Sequence, residues 1–214
     1  GAQSVLESMQ QGFGFIRQRE SMVTLIFLAF SMTLVGFPMI AFLPVFARQV
    51  FHSGPEAYTA LLSSSGLGSV AGALIVAALG RKTHLGKAAL LMLLAFGVTM
   101  TSFALSKQLV WSCVFLFLSG AAMLAVFAMV SSLVQLITAN EMRGRVMSVY
   151  NVAFRGGMPI GSLIAGWLVP ILSAPHVIAV NGLLLLSLGF LFLLAHPPFA
   201  ARLWCLTCVV RVFF

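Results

Sequence analysis

The sequence predicts an all-α, polytopic membrane protein built as a bundle of six transmembrane helices. Three observations predict this class. Of the 214 residues, 61% are apolar and only 7% are charged, whereas a soluble domain carries about 25% charged residues. The apolar residues also fall in runs of about 20, the length that a helix needs to cross a bilayer core of about 30 Å. A soluble enzyme, a disordered chain and a secreted disulfide scaffold are thereby excluded.

The elements follow one another in a simple order. Residues 1–21 place apolar side chains at helical spacing, which predicts an amphipathic linker helix, with a short soluble linker as the alternative. Residues 22–195 form the predicted six-helix bundle, since continuous apolar runs favour helices over the alternating strands of a membrane barrel. Residues 196–214 form an apolar tail, interpreted as an interfacial segment or the product of an altered reading frame. The predicted spans are approximately 22–46, 58–79, 88–105, 109–137, 146–172 and 177–195.

Basic residues lie mainly in alternate gaps between the spans. With the N-terminal segment in the cytoplasm, nine basic residues lie on the cytoplasmic side, two (Arg48 and Lys107) lie on the other side, and Arg155 lies within a span. The positive-inside rule then predicts both termini in the cytoplasm, in the inner (plasma) membrane. Tyr150 and Trp167 fall near predicted span ends, where their rings favour the interface. The net charge of +8 indicates contact with anionic lipid headgroups, not with nucleic acid.

Arg155 is the most informative residue inside a span. An arginine near the centre of a membrane helix costs about 2.5–3.5 kcal/mol, and no predicted span contains an acid to pair with it. Asn151 and Ser162 share its helix face, and Ser131 and Gln135 lie in the fourth span. All five are candidates for contact with a substrate in an aqueous cavity. For Arg155 the alternative is a side chain that snorkels or bonds to freed carbonyls.

Glycine and proline interrupt two of the predicted spans. Gly36 and Pro38 lie in the first span, and Gly157 and Pro159 lie in the fifth. Proline removes a backbone donor, and broken membrane helices often line transport pathways. These four residues are therefore candidate helix breaks and gating positions, with a static kink as the alternative.

The sequence holds no catalytic or metal-binding pattern. There is no H-E-x-x-H, no G-x-S-x-G and no second ligand pair for Cys205 and Cys208. The prediction is that the protein is not an enzyme and uses no metal and no cofactor. In the second span, Ser64, Gly68 and Gly72 have the four-residue spacing of close helix packing, which is interpreted as structural.

Several segments resemble the second half of major facilitator superfamily transporters, and the nearest subgroup is the enterobactin-exporter-like drug and siderophore exporters. These segments are FLPVFAR at 42–48, GLGSVAG at 66–72, GRKTHLGK at 80–87 and NEMRGRVM at 140–147. The resemblance implies a twelve-helix fold in two halves, of which this chain supplies the C-terminal six helices. It further implies that five residues in the cytoplasmic loops form ion pairs that stabilise one access state: Arg81, Lys82, Glu141, Arg143 and Arg145.

The predicted function is efflux of a small molecule by a secondary transporter with alternating access, here as a C-terminal half or fragment. The expected partners are the lipid bilayer, a small-molecule substrate, and an N-terminal six-helix half or a second copy of the chain. The alternative function is a non-transporting membrane scaffold or assembly protein, motivated by the missing half and the missing intramembrane acids.

Overall fold

A computed structural model describes residues 5–79 and 85–195 of the chain. Within these ranges every regular element is a helix, and six helical segments are long and apolar enough to cross a membrane. The predicted fold class is therefore confirmed. Arg81, Lys82 and the tail at 196–214 lie outside the described residues.

The first span consists of three consecutive helices, and each later span is a single helix. Helix α1 (Val5–Arg17) precedes the first span. That span is formed by α2 (Glu20–Gly36), α3 (Pro38–Ala41) and α4 (Leu43–Gln49). The other spans are α5 (Pro55–Leu79), α6 (Leu85–Leu105), α7 (Leu109–Ile137), α8 (Arg143–Leu172) and α9 (Ala174–Ala195).

The first span is interrupted where glycine and proline occur in its sequence. Helix α2 ends at Gly36, and Pro38 stands in the first turn of α3, where its missing N–H costs no helical bond. Gly36 also lies against α6, because a Cβ atom there would be 2.7 Å from Cε1 of Phe96. The buried ring of Phe96 thus packs directly on the break.

The fifth span differs from the expectation of a break. Helix α8 runs without interruption from Arg143 to Leu172, through Pro159. Because Pro159 has no N–H, the carbonyl of Arg155 receives no helical bond from it. Gly157 and Gly161, on either side of Pro159, pack directly on α2, and this contact supports the helix where that bond is missing. The helix also continues through a second proline, Pro170.

The order of the helices in space differs from their order in the chain. Contacts join α5 to α7, α7 to α6, α6 to α9, α9 to α2 and α2 to α8. Helices α5 and α8 each make one large interface in this arrangement, with α7 and α2 respectively, and α5 also contacts α4 of the first span. Only 22% and 17% of the residues in their most apolar 18-residue stretches are buried, the lowest values among the six described spans.

Small residues set the packing of α5 on α7. Gly68 and Gly72 lie so close to α7 that a Cβ atom at either position would overlap the backbone of Phe117 or Ala121. Removing the side chain in this way lets two membrane helices approach closely. The structural interpretation of this glycine spacing is confirmed.

Candidate functional site

A cavity of about 210 Å³ lies between α2, α7 and α8. Its lining residues stand near the midpoints of the first, fourth and fifth spans, and the accessible lining surface is apolar. The one hydroxyl among them belongs to Thr33, which donates to the carbonyl of Phe30 in its own helix at 2.9 Å. The lining residues are Met32, Thr33, Phe37, Met123, Leu124, Phe127, Phe154 and Met158.

Aromatic rings connect α7 to α8 beside this cavity. The ring of Phe127 lies 4.4 Å from that of Phe154 and 6.5 Å from that of Tyr150. Tyr150 is fully buried, and its hydroxyl has no hydrogen-bond partner among the described residues. The interfacial position expected for Tyr150 is therefore wrong, because rings from both helices cover it. Trp167, by contrast, is 71% exposed.

The predicted polar residues of α8 do not line the cavity themselves but lie close in the chain to two residues that do. Asn151 and Arg155 are exposed and Ser162 is half-buried. Arg155 follows Phe154 directly and precedes Met158 by three residues, and both of these line the cavity. Within the described part of the chain, its guanidinium has no hydrogen-bond or ion-pair partner. Arg155 therefore has an unpaired guanidinium and also a backbone carbonyl that receives no helical hydrogen bond, because Pro159 has no N–H.

The two predicted polar residues of α7, Ser131 and Gln135, do not line the apolar cavity. Ser131 stands one turn after Phe127, and its hydroxyl accepts a hydrogen bond of 3.3 Å from Nε2 of Gln135. Gln135 in turn lines a second cavity, of about 400 Å³, together with Ser132 and Arg143. The five predicted substrate contacts are therefore divided between the exposed face of α8 and the neighbourhood of this second cavity.

Of the residues predicted to lie in the loop before α8, only Glu141 precedes the helix, whereas Arg143 and Arg145 lie in its first turn. Arg145 donates a hydrogen bond to the side chain of Gln11 in α1. Glu141 and Arg143 are exposed, and no ion pair joins them among the residues that the structure describes. Their role as ion pairs in one access state stays a prediction.

The apolar lining was missed by sequence reasoning. The sequence does not show whether a phenylalanine or a methionine in a membrane span faces a cavity, the bundle core or lipid. The only available signal was the spacing of Tyr150, Phe154 and Met158, which places one side chain per turn on a single face of α8.

One comparison with known proteins gives a match. A family model described as transmembrane secretion effector matches residues 2–202, which is nearly the whole chain. This description does not specify the enterobactin-exporter-like subgroup. No curated protein matches the chain, and no solved structure does.

Proposed function

The chain belongs to the transmembrane secretion effector family of the major facilitator superfamily, and from this premise we propose that it exports anionic amphiphilic small molecules. With six candidate spans it is a multi-pass membrane transporter, and the scaffold alternative is not favoured. The observation that carries the finer proposal is the apolar cavity between α2, α7 and α8, together with the unpaired guanidinium of Arg155, which directly follows the lining residue Phe154 in α8.

The two parts of this site suit the two parts of an amphiphile. Phenylalanine rings and methionine side chains make favourable dispersion and stacking contacts with an apolar or aromatic group. The planar guanidinium of Arg155 offers several donors to a carboxylate or phosphate. Asn151, one turn earlier on the same exposed face, adds an amide that can accept or donate.

We infer that a second six-helix bundle, from an N-terminal half or from a second copy, completes the cavity. A volume of about 210 Å³ is smaller than the roughly 300–1,000 Å³ of a drug-sized site. Helix α8 supports this inference, since it is the least buried span and exposes Leu163 and Trp167. It also exposes Arg155, which is costly against lipid but suits an aqueous pathway between two bundles.

We further place both termini in the cytoplasm and the chain in the inner (plasma) membrane. Arg19 contacts the last turn of α7 through Ile137, and Arg145 near the start of α8 contacts Gln11 in α1. The basic residues after α1 and at the start of α8 therefore lie near the end of α7. Arg48 follows at the opposite end of the first span, and Lys107 lies next to the start of α7. This distribution supports the orientation by the positive-inside rule.

Alternating access requires helices that change shape, and the proposal assigns this role to two pairs of residues. Gly36 and Pro38 interrupt the first span, and Gly157 and Pro159 stand where α8 crosses α2. The first span bends more easily because it is divided between α2 and α3, and α8 bends more easily because Pro159 removes one backbone bond. Both pairs lie in or directly after helices that line the cavity, α2 and α8. Bending of either helix at these residues therefore changes how far the cavity opens.

Transport by variants of Arg155 tests the proposal. The chain, co-expressed with an N-terminal half from the same family, is reconstituted into vesicles, and export of an anionic and a cationic fluorescent amphiphile is compared. Arg155→Ala is expected to reduce export of the anionic compound about tenfold, the effect of losing a charged hydrogen bond, with less effect on the cationic one. Arg48→Ala is the matched control, because it removes an exposed arginine from the C-terminal end of the first span. Unchanged anion export in Arg155→Ala contradicts the proposed role.

A further inference from the structure

A groove of about 440 Å³ opens where α1, α2 and α8 meet. Its walls are apolar except for one arginine, Arg17, at the end of α1. Three of the wall residues remain well exposed, namely Phe13 at 61%, Val23 at 44% and Phe27 at 52%. Because α2 begins a membrane span here, the mouth of the groove lies at a membrane surface and its walls extend into the bilayer.

The groove is built from a firmly docked helix. In α1, Gly12 lies against α8, since a Cβ atom there would be 2.8 Å from the carbonyl oxygen of Arg145. The guanidinium of Arg19 donates to the carbonyl of Ile137 at 3.1 Å and lies 4.6 Å from the ring centre of Phe15. The contact of Gly12 with α8 and the contact of Arg19 with α7 together fix the position of the groove wall that α1 supplies.

The arginine at the mouth is free to bind a ligand. Arg17 is exposed and has no hydrogen-bond or ion-pair partner among the residues described here. Arg19, by contrast, donates a hydrogen bond to the carbonyl of Ile137 in α7. The walls on α2 extend from Val23 to Phe30, which is about 10 Å along the helix axis. One leaflet contributes about half of a 30 Å hydrocarbon core, so the groove covers most of the depth of a leaflet.

We propose that this groove is a binding site for an anionic phospholipid. The headgroup phosphate pairs with the guanidinium of Arg17, and one acyl chain lies along the apolar wall that Phe27 and Val149 form. A cation at the mouth above an apolar slot matches an amphiphile with a negative head, and basic residues at membrane surfaces attract anionic lipids. The site lies apart from the cavity beside Arg155 and does not rest on the proposed transport activity.

Lipid titration of the purified chain tests this site. The full chain in detergent is titrated with phosphatidylglycerol or phosphatidylcholine of the same acyl composition, and bound lipid is counted by native mass spectrometry. Phosphatidylglycerol is expected to bind more tightly. Arg17→Gln is expected to weaken it about fivefold, the effect of one basic residue at an anionic surface, while phosphatidylcholine binding stays unchanged.

Two further variants separate charge from shape. Arg48→Gln removes an exposed arginine at the other end of the first span and is expected to leave both affinities unchanged. Ala153→Phe fills the apolar part of the groove and is expected to weaken both lipids, with the melting temperature checked for correct folding. Equal binding of the two lipids by the native chain, or an equal loss in Arg17→Gln and Arg48→Gln, overturns the proposal. If native mass spectrometry shows a dimer that is lost in Arg17→Gln, the proposal is also overturned, because a second copy of the chain then occupies the groove.

Discussion

The rings of Phe127 and Phe154 lie 4.4 Å apart and connect α7 to α8, two helices with few other contacts. Both rings also line the apolar cavity. The ring pair therefore has two roles, since it adds a contact with α7 to the main interface of α8 with α2 and forms one side of the candidate site.

Removing one of these rings is expected to loosen the bundle. Phe127→Ala loses the contacts with Phe154 and Tyr150 and leaves a larger cavity, so the free energy of unfolding should fall by about 2–3 kcal/mol. The measurement is denaturation in detergent. Phe190→Ala is the control, because this ring is 59% exposed and loses mainly detergent contacts. Equal losses in the two variants would show that the ring pair contributes nothing special.

Tyr150 permits a test in the opposite direction. Its buried hydroxyl has no partner among the described residues, and an unsatisfied buried polar group costs about 1–3 kcal/mol. Tyr150→Phe keeps both aromatic contacts and removes this cost, so the melting temperature should stay the same or rise. A clear fall in melting temperature would mean that the hydroxyl has a partner, such as an ordered water.

The crossing of α2 and α8 depends on glycine at one position. Gly161→Ala places a Cβ atom against the backbone of Leu34, and such overpacking costs about 1–3 kcal/mol. Gly156→Ala is a matched control in the same helix, because nothing lies within 4 Å of a Cβ atom there. Its stability should change by at most about 1 kcal/mol, in the stabilising direction. If both variants are equally stable, the close approach of the two helices is not required.

The docking of α1 is expected to depend on Arg19 and not on Arg17. Arg19→Gln loses the hydrogen bond to the Ile137 carbonyl and the contact with the Phe15 ring. Amide hydrogen exchange in residues 5–17 should then become roughly fivefold faster, as expected for the loss of a hydrogen bond. Arg17→Gln, which loses no such contact, should leave the exchange rates unchanged. Similar rates in Arg19→Gln and the native chain would assign the docking of α1 to other residues.

The sequence singles out one residue of the proposed site, Arg155, and the reason is chemical. A guanidinium in an apolar span is rare and costly, so Arg155 was identifiable without coordinates. Its position beside Phe154 and Met158 was not, because the helix rotation that turns these side chains toward α2 and α7 depends on packing. Tyr150 illustrates the same limit, since the rings that bury it come partly from another helix.

The proline positions show how local chemistry and packing combine. Pro38 and Pro159 were equally strong signals of a helix break, yet only the first span is interrupted. A short helix begins at Pro38, whereas around Pro159 the glycine contacts with α2 hold α8 together. A single missing hydrogen bond does not decide the outcome when tertiary contacts oppose the break.

The sequence by itself determined that this is a membrane protein, that it holds six segments long and apolar enough to span a bilayer, and that its charges lie mainly at the ends of these segments. These properties follow from hydrophobic length and charge placement, which need no knowledge of neighbouring helices. Only the tertiary structure decided which helices are neighbours, which faces enclose the apolar cavity and where α1 builds the basic-mouthed groove. Those properties depend on close contacts such as that of Gly161 with α2, because in lipid the packing of helices is selected by shape and not by hydrophobicity.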